Sequence, residues 1–367
     1  MLKSGMVRAL GAMSGTSLDG VDAAIVVTDG DVIKGFGPHH FRPYSDNEQS
    51  ILRAALGRWQ DDDDLSEACE LIETAHAQAL HRFQDAELIG FHGQTLAHDP
   101  DAGRTHQAGD GQILADVLGK PLVWDFRSAD MQMGGQGAPL APFFHFACAK
   151  YIGACAPVAF LNLGGVGNIT WVDPSKAKPE DDGALLAFDT GPANAPINDV
   201  MMDWFGKPYD ADGDTARDGT VDHAIVGEFL KHPYFFKIPP KSLDRDSFDA
   251  LVHAIDTLSP FDAAATLVAC LVQSVAAGLS HCPSQPTAIY VTGGGRNNSF
   301  IMNALQREIN VPVKPVDAVG LNGDMLEAQA FGYLAVRVAR GLPTSGPSTT
   351  GVSAAVGGGT LSQPSGN

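Results

Sequence analysis

Gly11-Ala12-Met13-Ser14-Gly15-Thr16-Ser17-Leu18-Asp19-Gly20-Val21-Asp22 lies between two apolar runs, residues 7–10 and 23–27. The runs read as strands and the stretch between them as their joining tip. Glycines there permit positive φ and let backbone N–H groups approach an anion, and Ser14, Thr16 and Ser17 add hydroxyl donors. Asp19 and Asp22 close the stretch and suit a metal ion better than the anion itself. An ordinary glycine-rich hairpin turn has the same composition. The rest of the chain separates the two readings only if it supplies partners for an anion-binding tip.

At 367 residues the chain is long enough for about two domains. It carries 24 basic against 43 acidic residues, a net charge of −19, with no Lys/Arg-rich run. A nucleic-acid or anionic-membrane surface needs a basic footprint, so neither partner is expected. An acidic protein that binds phosphate must use backbone donors, hydroxyls or a divalent cation. The N-terminus has no long apolar run of the signal-peptide kind. The most apolar region, 143–163, is broken by His145, Lys150 and Pro157 and reads as a buried helix followed by a strand. Cys69, Cys148, Cys155, Cys270 and Cys282 form no Cys-x-x-Cys pair. Free thiols in a reducing cytoplasm are therefore expected, without structural zinc or disulfides.

Along the first half, strand and helix alternate. A short strand is expected near 32–33, helices over 46–56 and 65–83, and a strand over 88–91 ending in His92-Gly93-Gln94-Thr95. A helix near 112–118 and a strand over 121–124 follow. The glycine-dense stretch 133–139 reads as a hinge, which divides the chain into an N-terminal domain, 1–133, and a C-terminal domain, 134–340. The second half opens as the first does, with a strand over 158–163, a glycine tip at 164–168 and a returning strand over 169–172. That echo suggests a duplicated α/β architecture whose two tips face one cleft. Residues 233–245 read as a connector, 262–281 as a long apolar helix and 325–340 as a final one. Composition alone makes the Gly/Pro/Ser-rich tail, 341–367, disordered.

No Walker loop, dinucleotide fingerprint or nucleophile elbow is present. What remains is three glycine tips after strands, at 15–20, 164–167 and 293–295, with Asp189-Thr190-Gly191-Pro192 between the second and third. This is the order of a two-domain kinase with paired phosphate loops and an adenosine loop. The opening stretch resembles the signature of the anhydro-N-acetylmuramic acid kinases. So do Phe91-His92-Gly93-Gln94-Thr95, Asp125-Phe126-Arg127, Asn162-Leu163-Gly164-Gly165-Val166-Gly167-Asn168 and Phe188-Asp189-Thr190-Gly191-Pro192. Thr292-Gly293-Gly294-Gly295-Arg296-Asn297 and Gly323-Asp324-Met325-Leu326-Glu327-Ala328 complete the set, in order over most of the chain.

The resemblance implies two RNase H-like domains of the actin and sugar-kinase type around a nucleotide cleft that closes on ATP and Mg²⁺. It implies a cytoplasmic, homodimeric kinase of peptidoglycan recycling. Such a kinase converts 1,6-anhydro-N-acetylmuramate and water into N-acetylmuramate 6-phosphate. The nucleotide-binding set expected is Gly15, Thr16, Ser17, Leu18, Asp19, Gly20, Val21 and Asp22, with Gly164, Gly165, Gly167, Asn168, Gly293, Gly294, Gly295 and Asn297. Water attack needs an ionised carboxylate with room for one water, as in an inverting glycosidase. Asp189 is that expected base; a helix N-cap before residue 194 is its structural alternative. Glu327 is expected to touch the sugar or hold the water, or else to serve as a first-turn helix carboxylate. His92 and Gln94 are expected on sugar hydroxyls and Arg127 on the lactyl carboxylate. Asp130 joins this sugar set, although Arg127 has the alternative of pairing with Asp125 or Asp130. Met13 stands where many relatives in the superfamily carry a metal-associated Asp, so the carboxylate must come from elsewhere. Asp19 is the ligand expected, with Asp22 and Asp189 as alternatives. Two other readings are an actin- or chaperone-like ATPase that needs no sugar, and a sugar hydrolase that needs no nucleotide. The tail is expected to pack partly on the body.

Overall fold

The opening hairpin forms as its alternation directs. In the computed structural model, which describes residues 4–243 and 248–366, β1 (Val7–Ser14) pairs antiparallel with β2 (Gly20–Thr28), Val7 opposite Thr28 and Met13 opposite Asp22. Both strands are largely buried, which suits runs apolar on both faces. β3 (Ile33–Pro43) continues the meander and is far longer than the strand expected at 32–33. Its half-exposed, glycine- and histidine-rich sequence hides the strand period. There follow α1 (Asp46–Ala55), α2 (Ser66–Leu80), β4 (Leu88–Asp99), β5 (Arg104–Ala108), α3 (Gly111–Leu118), β6 (Leu122–Trp124), α4 (Ser128–Gln132) and α5 (Pro142–Tyr151). β4 joins β1 in parallel and β6 joins β4 in parallel.

The same plan recurs. β7 (Val158–Leu163), β8 (Val166–Val172) and β9 (Leu185–Pro192) form an antiparallel meander. α6 (Asn194–Phe205), α7 (Asp214–Arg217), α8 (His223–Phe229), α9 (Asp249–Ile255) and α10 (Pro260–Leu279) lead to β10 (Ile289–Thr292), parallel to β7. After α11 (Ser299–Glu308) comes β11 (Val313–Pro315), parallel to β10. α12 (Leu326–Ala339) and β12 (Thr360–Ser362) end the chain. One sheet runs β12-β6-β4-β1-β2-β3, with β5 on β4, and the other runs β11-β10-β7-β8-β9. Three antiparallel strands followed by two parallel ones is the RNase H order, present twice. α10 is long and apolar enough to cross a bilayer, but it is two-thirds buried and serves as the core helix of the second sheet, where Leu267 and Leu271 cluster with Phe188 and Val291.

The compact units are divided differently from the sequence expectation. The first runs through Tyr151 and takes back Lys178–Glu180 and everything from Met325 on; the second holds Ile152–Ala177 and Asp181–Asp324. Residues 133–139 therefore lie within the first unit and not at the division between the two. α5 is buried from Pro142 to Ala149 and stays with the first unit, where Phe144 meets Phe36 and Tyr333 edge-on or tilted. α12 lies directly on the first sheet: a Cβ on Gly11 would overlap the carbonyl oxygen of Ala328, and one on Gly90 that of Phe331. The tail is ordered into the same unit. Thr344, Ser345, Thr349 and Thr350 are buried, and β12 pairs antiparallel with β6.

Candidate active site

In the first unit the tip between β1 and β2 turns on Leu18, not on a glycine. Leu18 has φ 59°, its N–H reaches Gly15 O at 3.1 Å, and its side chain is buried in the core. Val21 is buried as well. Leu18 and Val21 therefore offer a ligand only backbone. Thr16, Ser17 and Asp19 are exposed, Gly15 and Asp22 half-buried. Gly20 is required because a Cβ there would strike the ring of Phe41 and the backbone of Arg42. Met13 packs against Ala24, Met325 and Ala328, an apolar seat that explains why no carboxylate stands there.

Gln94 holds this tip from behind. It is fully buried; its Oε1 accepts from Ser14 Oγ at 2.5 Å and its Nε2 donates to Gly15 O at 3.2 Å. β4 runs on to Asp99, so Gln94 lies inside a strand and not in a loop. The expectation of a sugar contact is corrected accordingly: both ends of its amide serve the tip.

His92 is likewise buried within β4. Its Nδ1 is paired with Gly93 O at 2.9 Å, which makes Nε2 the acceptor for Arg127 Nε at 3.1 Å and Nη2 at 2.9 Å. Burial and the Arg127 charge hold this imidazole well below its usual range, so it stays neutral, as an acceptor must. It orients Arg127 and does not reach a sugar hydroxyl with that nitrogen. Arg127 also donates through Nη1 to Gly137 O at 2.7 Å. Among the described residues these contacts use three of its five guanidinium N–H groups, which leaves two for a ligand. Burial lowers Arg127 to about 10, while Glu327 and Asp130 act in the opposite sense. Glu327 stands in the first turn of α12, where partial loss of hydration raises its carboxyl and the Arg127 charge opposes that. Arg127 and Glu327 thus form one electrostatically coupled pair.

Asp130 leaves the sugar set. It is 2% exposed, and its carboxylate accepts from Gly137 N at 2.7 Å, Ser345 Oγ at 2.5 Å and Thr350 Oγ1 at 2.6 Å. These contacts tie the 134–137 loop to the tail and explain why a stretch that composition makes disordered is ordered.

In the second unit, the tip between β7 and β8 turns its carbonyls onto the start of α6. Gly164 O accepts from Asn194 N at 3.0 Å and Gly165 O from Ala193 N at 2.9 Å. Gly165 is exposed, and Gly167 lies so close to Thr190 that a Cβ would meet its hydroxyl. Asn168 pairs with Asp189 across β8 and β9, and its Nδ2 donates to Asp189 Oδ1 at 2.8 Å. Leu243 N donates to Asp189 Oδ2 at 2.8 Å. Each carboxylate oxygen of Asp189 thus accepts an N–H donor. Asp189 lies in β9, and the N-cap of α6 is Ala193, so the N-cap alternative falls away.

The third tip follows β10. Gly293 (φ 76°) and Gly295 pass too close to Asn162 and Leu163 for any Cβ, whereas Gly294 and Asn297 are exposed. Sequence reasoning missed what fixes this tip. Arg296, 9% exposed, pairs with Asp317 at 3.0 Å and Asp324 at 2.7 Å and donates to Gly293 O at 3.1 Å. The only sequence signal was an arginine set in a glycine run. Among the described residues no group of three or more His, Cys, Asp or Glu side chains gathers as a metal centre.

Two RNase H-ordered units, each with a polar glycine tip at its first hairpin and a strand-borne carboxylate beside the second tip, define a phosphotransferase of the actin and sugar-kinase class. The model of the anhydro-N-acetylmuramic acid kinase family matches residues 7–363. An anhydro-N-acetylmuramic acid kinase of Roseobacter denitrificans is 61% identical over 362 residues, covering 99% of this chain and 96% of the relative. One from Cereibacter sphaeroides is 60% identical over 364 residues, covering 99% and 98%. The chain belongs to the anhydro-N-acetylmuramic acid kinase family. Among solved structures, the activator of the 2-hydroxyisocaproyl-CoA dehydratase from Clostridium difficile with bound ADPNP has a TM-score of 0.45 at 12% identity, covering 91% of this chain and 96% of that one. That likeness is too distant to speak for function.

Proposed function

We propose that the protein is an ATP-dependent kinase that opens 1,6-anhydro-N-acetylmuramate with water and phosphorylates the freed 6-oxygen, giving N-acetylmuramate 6-phosphate and ADP. The observation that carries this reading is the Asp189 carboxylate, held by Asn168 and Leu243 beside the second glycine tip. Asp189 takes a proton from water as the water oxygen bonds to the anomeric carbon. The bond from that carbon to the bridging oxygen breaks, and the bridging oxygen takes the γ-phosphoryl group as ADP leaves. No proton needs to be supplied to that oxygen, because it passes directly from the anomeric carbon to phosphorus. Arg127, with its two remaining N–H groups, is assigned to the lactyl carboxylate and Glu327 to the sugar or the attacking water. The exposed Thr16, Ser17 and Gly165 tips and the Gly294–Asn297 turn are assigned to ATP.

Exposed Asp19 suits Mg²⁺, which commonly takes one or two protein carboxylates plus phosphate oxygens. When bound there it would neutralise phosphate charge. Five free cysteines fit a reducing cytoplasm, where we place the enzyme; a homodimer working on a small sugar is what membership of the family implies. ADP release measured with and without 1,6-anhydro-N-acetylmuramate tests the reading. ADP release that depends on the sugar is expected. Equal release without sugar would favour an ATPase that works without one.

A further inference from the structure

Lys241 is a buried cation in the connector between α8 and α9, 7% exposed, to which the reaction above assigns nothing. Its Nζ donates to Tyr234 O at 3.1 Å, and it stands 4.6 Å from the ring centroid of Tyr234 and 5.8 Å from that of Phe188. The neighbouring His281 is 3.4 Å away through Nε2, which also faces Phe235 O at 3.0 Å. Burial, with Lys237 adding to it, lowers the ammonium to about 8. Removing an ammonium from water is unfavourable, so the position needs a return.

That return lies along Asp189. β9 is the edge strand of the second sheet, and an edge leaves backbone groups to be covered. The connector covers it at one residue. Lys241 O accepts from Asp189 N at 3.0 Å, Tyr234 OH donates to Asp189 O at 2.5 Å, and Leu243 N donates to Asp189 Oδ2 at 2.8 Å. Tyr234 and Lys241 are themselves joined through the ammonium. The segment from Tyr234 to Leu243 is thus a strap with contacts to the N–H, the carbonyl and one carboxylate oxygen of Asp189, and Lys241 closes it on itself.

We propose that Lys241 is a positioning residue that anchors this strap and thereby aims the Asp189 carboxylate at the attacking water. The proposal rests on the reading of Asp189 as the general base. Misplacing a catalytic group by about 1 Å can cost about 10²-fold in rate. Lys241→Met keeps the aliphatic stem between the two rings and removes the ammonium. It is expected to lower kcat about 10- to 100-fold, while KM for ATP and for 1,6-anhydro-N-acetylmuramate each stay within about twofold. Residues that act through one another are not additive. In an Asp189→Asn background, Lys241→Met should therefore change kcat by less than about twofold. Tyr234→Phe removes only the hydroxyl contact to Asp189 and should show the same absorption with a smaller loss. It carries the test if Lys241→Met does not fold, as judged by circular dichroism. A folded Lys241→Met enzyme with wild-type kcat would overturn the strap, and so would a loss that multiplies with that of Asp189→Asn. Near-normal turnover of Asp189→Asn alone would overturn the general-base reading and the strap with it.

Discussion

Asp189 and Asp130 show how a carboxylate's partners decide its use. Asp189 accepts from the Asn168 side chain and from Leu243 N and lies half-buried on an edge strand. Asp189→Asn keeps the size of the side chain, gives up one of those two acceptor contacts and cannot take a proton. Turnover should fall by about 10²–10⁴ with ATP affinity unchanged; steady-state kinetics with the variant's mass verified checks this. Asp130 is closed off by three donors of the fold. Asp130→Ala leaves those donors buried and unpaired and should destabilise the protein by about 2–4 kcal/mol. Denaturant unfolding reads that loss, while KM for the sugar should not move. Asp189 and Arg127 are legible in the sequence because each sits in a motif whose neighbours are local. Asp130 is not: Ser345 and Thr350 lie 215 and 220 residues away, and nothing in the intervening pattern joins them.

Two elements of the first unit carry sharper consequences. α1 begins on a capping box in which the Ser45 side chain accepts from Glu48 N and Glu48 accepts from Ser45 N at 2.7 Å. Arg42 grips the same carboxylate with both terminal nitrogens, at 2.9 and 2.6 Å. Chiefly through Arg42, the Glu48 carboxyl falls from an ordinary 4.5 to about 2. A depressed carboxyl contributes stability that is complete above about 4.5 and is lost as the pH falls toward 2. Glu48→Gln should flatten that part of the stability profile by about 2 kcal/mol, followed by chemical unfolding at stepped pH. α12 meets the first sheet through glycine backbones, so Gly11→Ala should destabilise by about 2–4 kcal/mol as it drives a methyl into the Ala328 carbonyl. Urea unfolding measures it. The sequence marks α12 closely, at 325–340 against Leu326–Ala339, because its apolar period is regular. It marks only the start of β3 and misses β5, whose polar, half-exposed residues carry no clean alternation.

At the scale of the whole molecule, the two strand–tip–strand echoes are the readable part of the architecture, because each meander is local in sequence. The assignment of α12 and the tail to the first unit is not readable: it depends on close approach at Gly11 and Gly90, and on a hydrogen-bonded seat at Asp130. The hinge expected at 133–139 fails for the same reason, since glycines that look permissive are held by Asp130 and by Thr350 O, which accepts from Gln136 N at 2.8 Å. The net charge of −19 leaves phosphate binding to backbone, hydroxyls and a cation, which agrees with exposed Thr16, Ser17 and Asp19 on the first tip. The central claim is that water opens the sugar while the freed oxygen receives the phosphoryl group. Incubating enzyme, ATP, Mg²⁺ and 1,6-anhydro-N-acetylmuramate in water enriched in heavy oxygen, with early products read by mass spectrometry, tests it most directly. One heavy oxygen on the anomeric carbon of a sugar 6-phosphate, with none in its phosphate, is the result expected. Heavy oxygen in released inorganic phosphate, with the anhydro-sugar left intact, would contradict it.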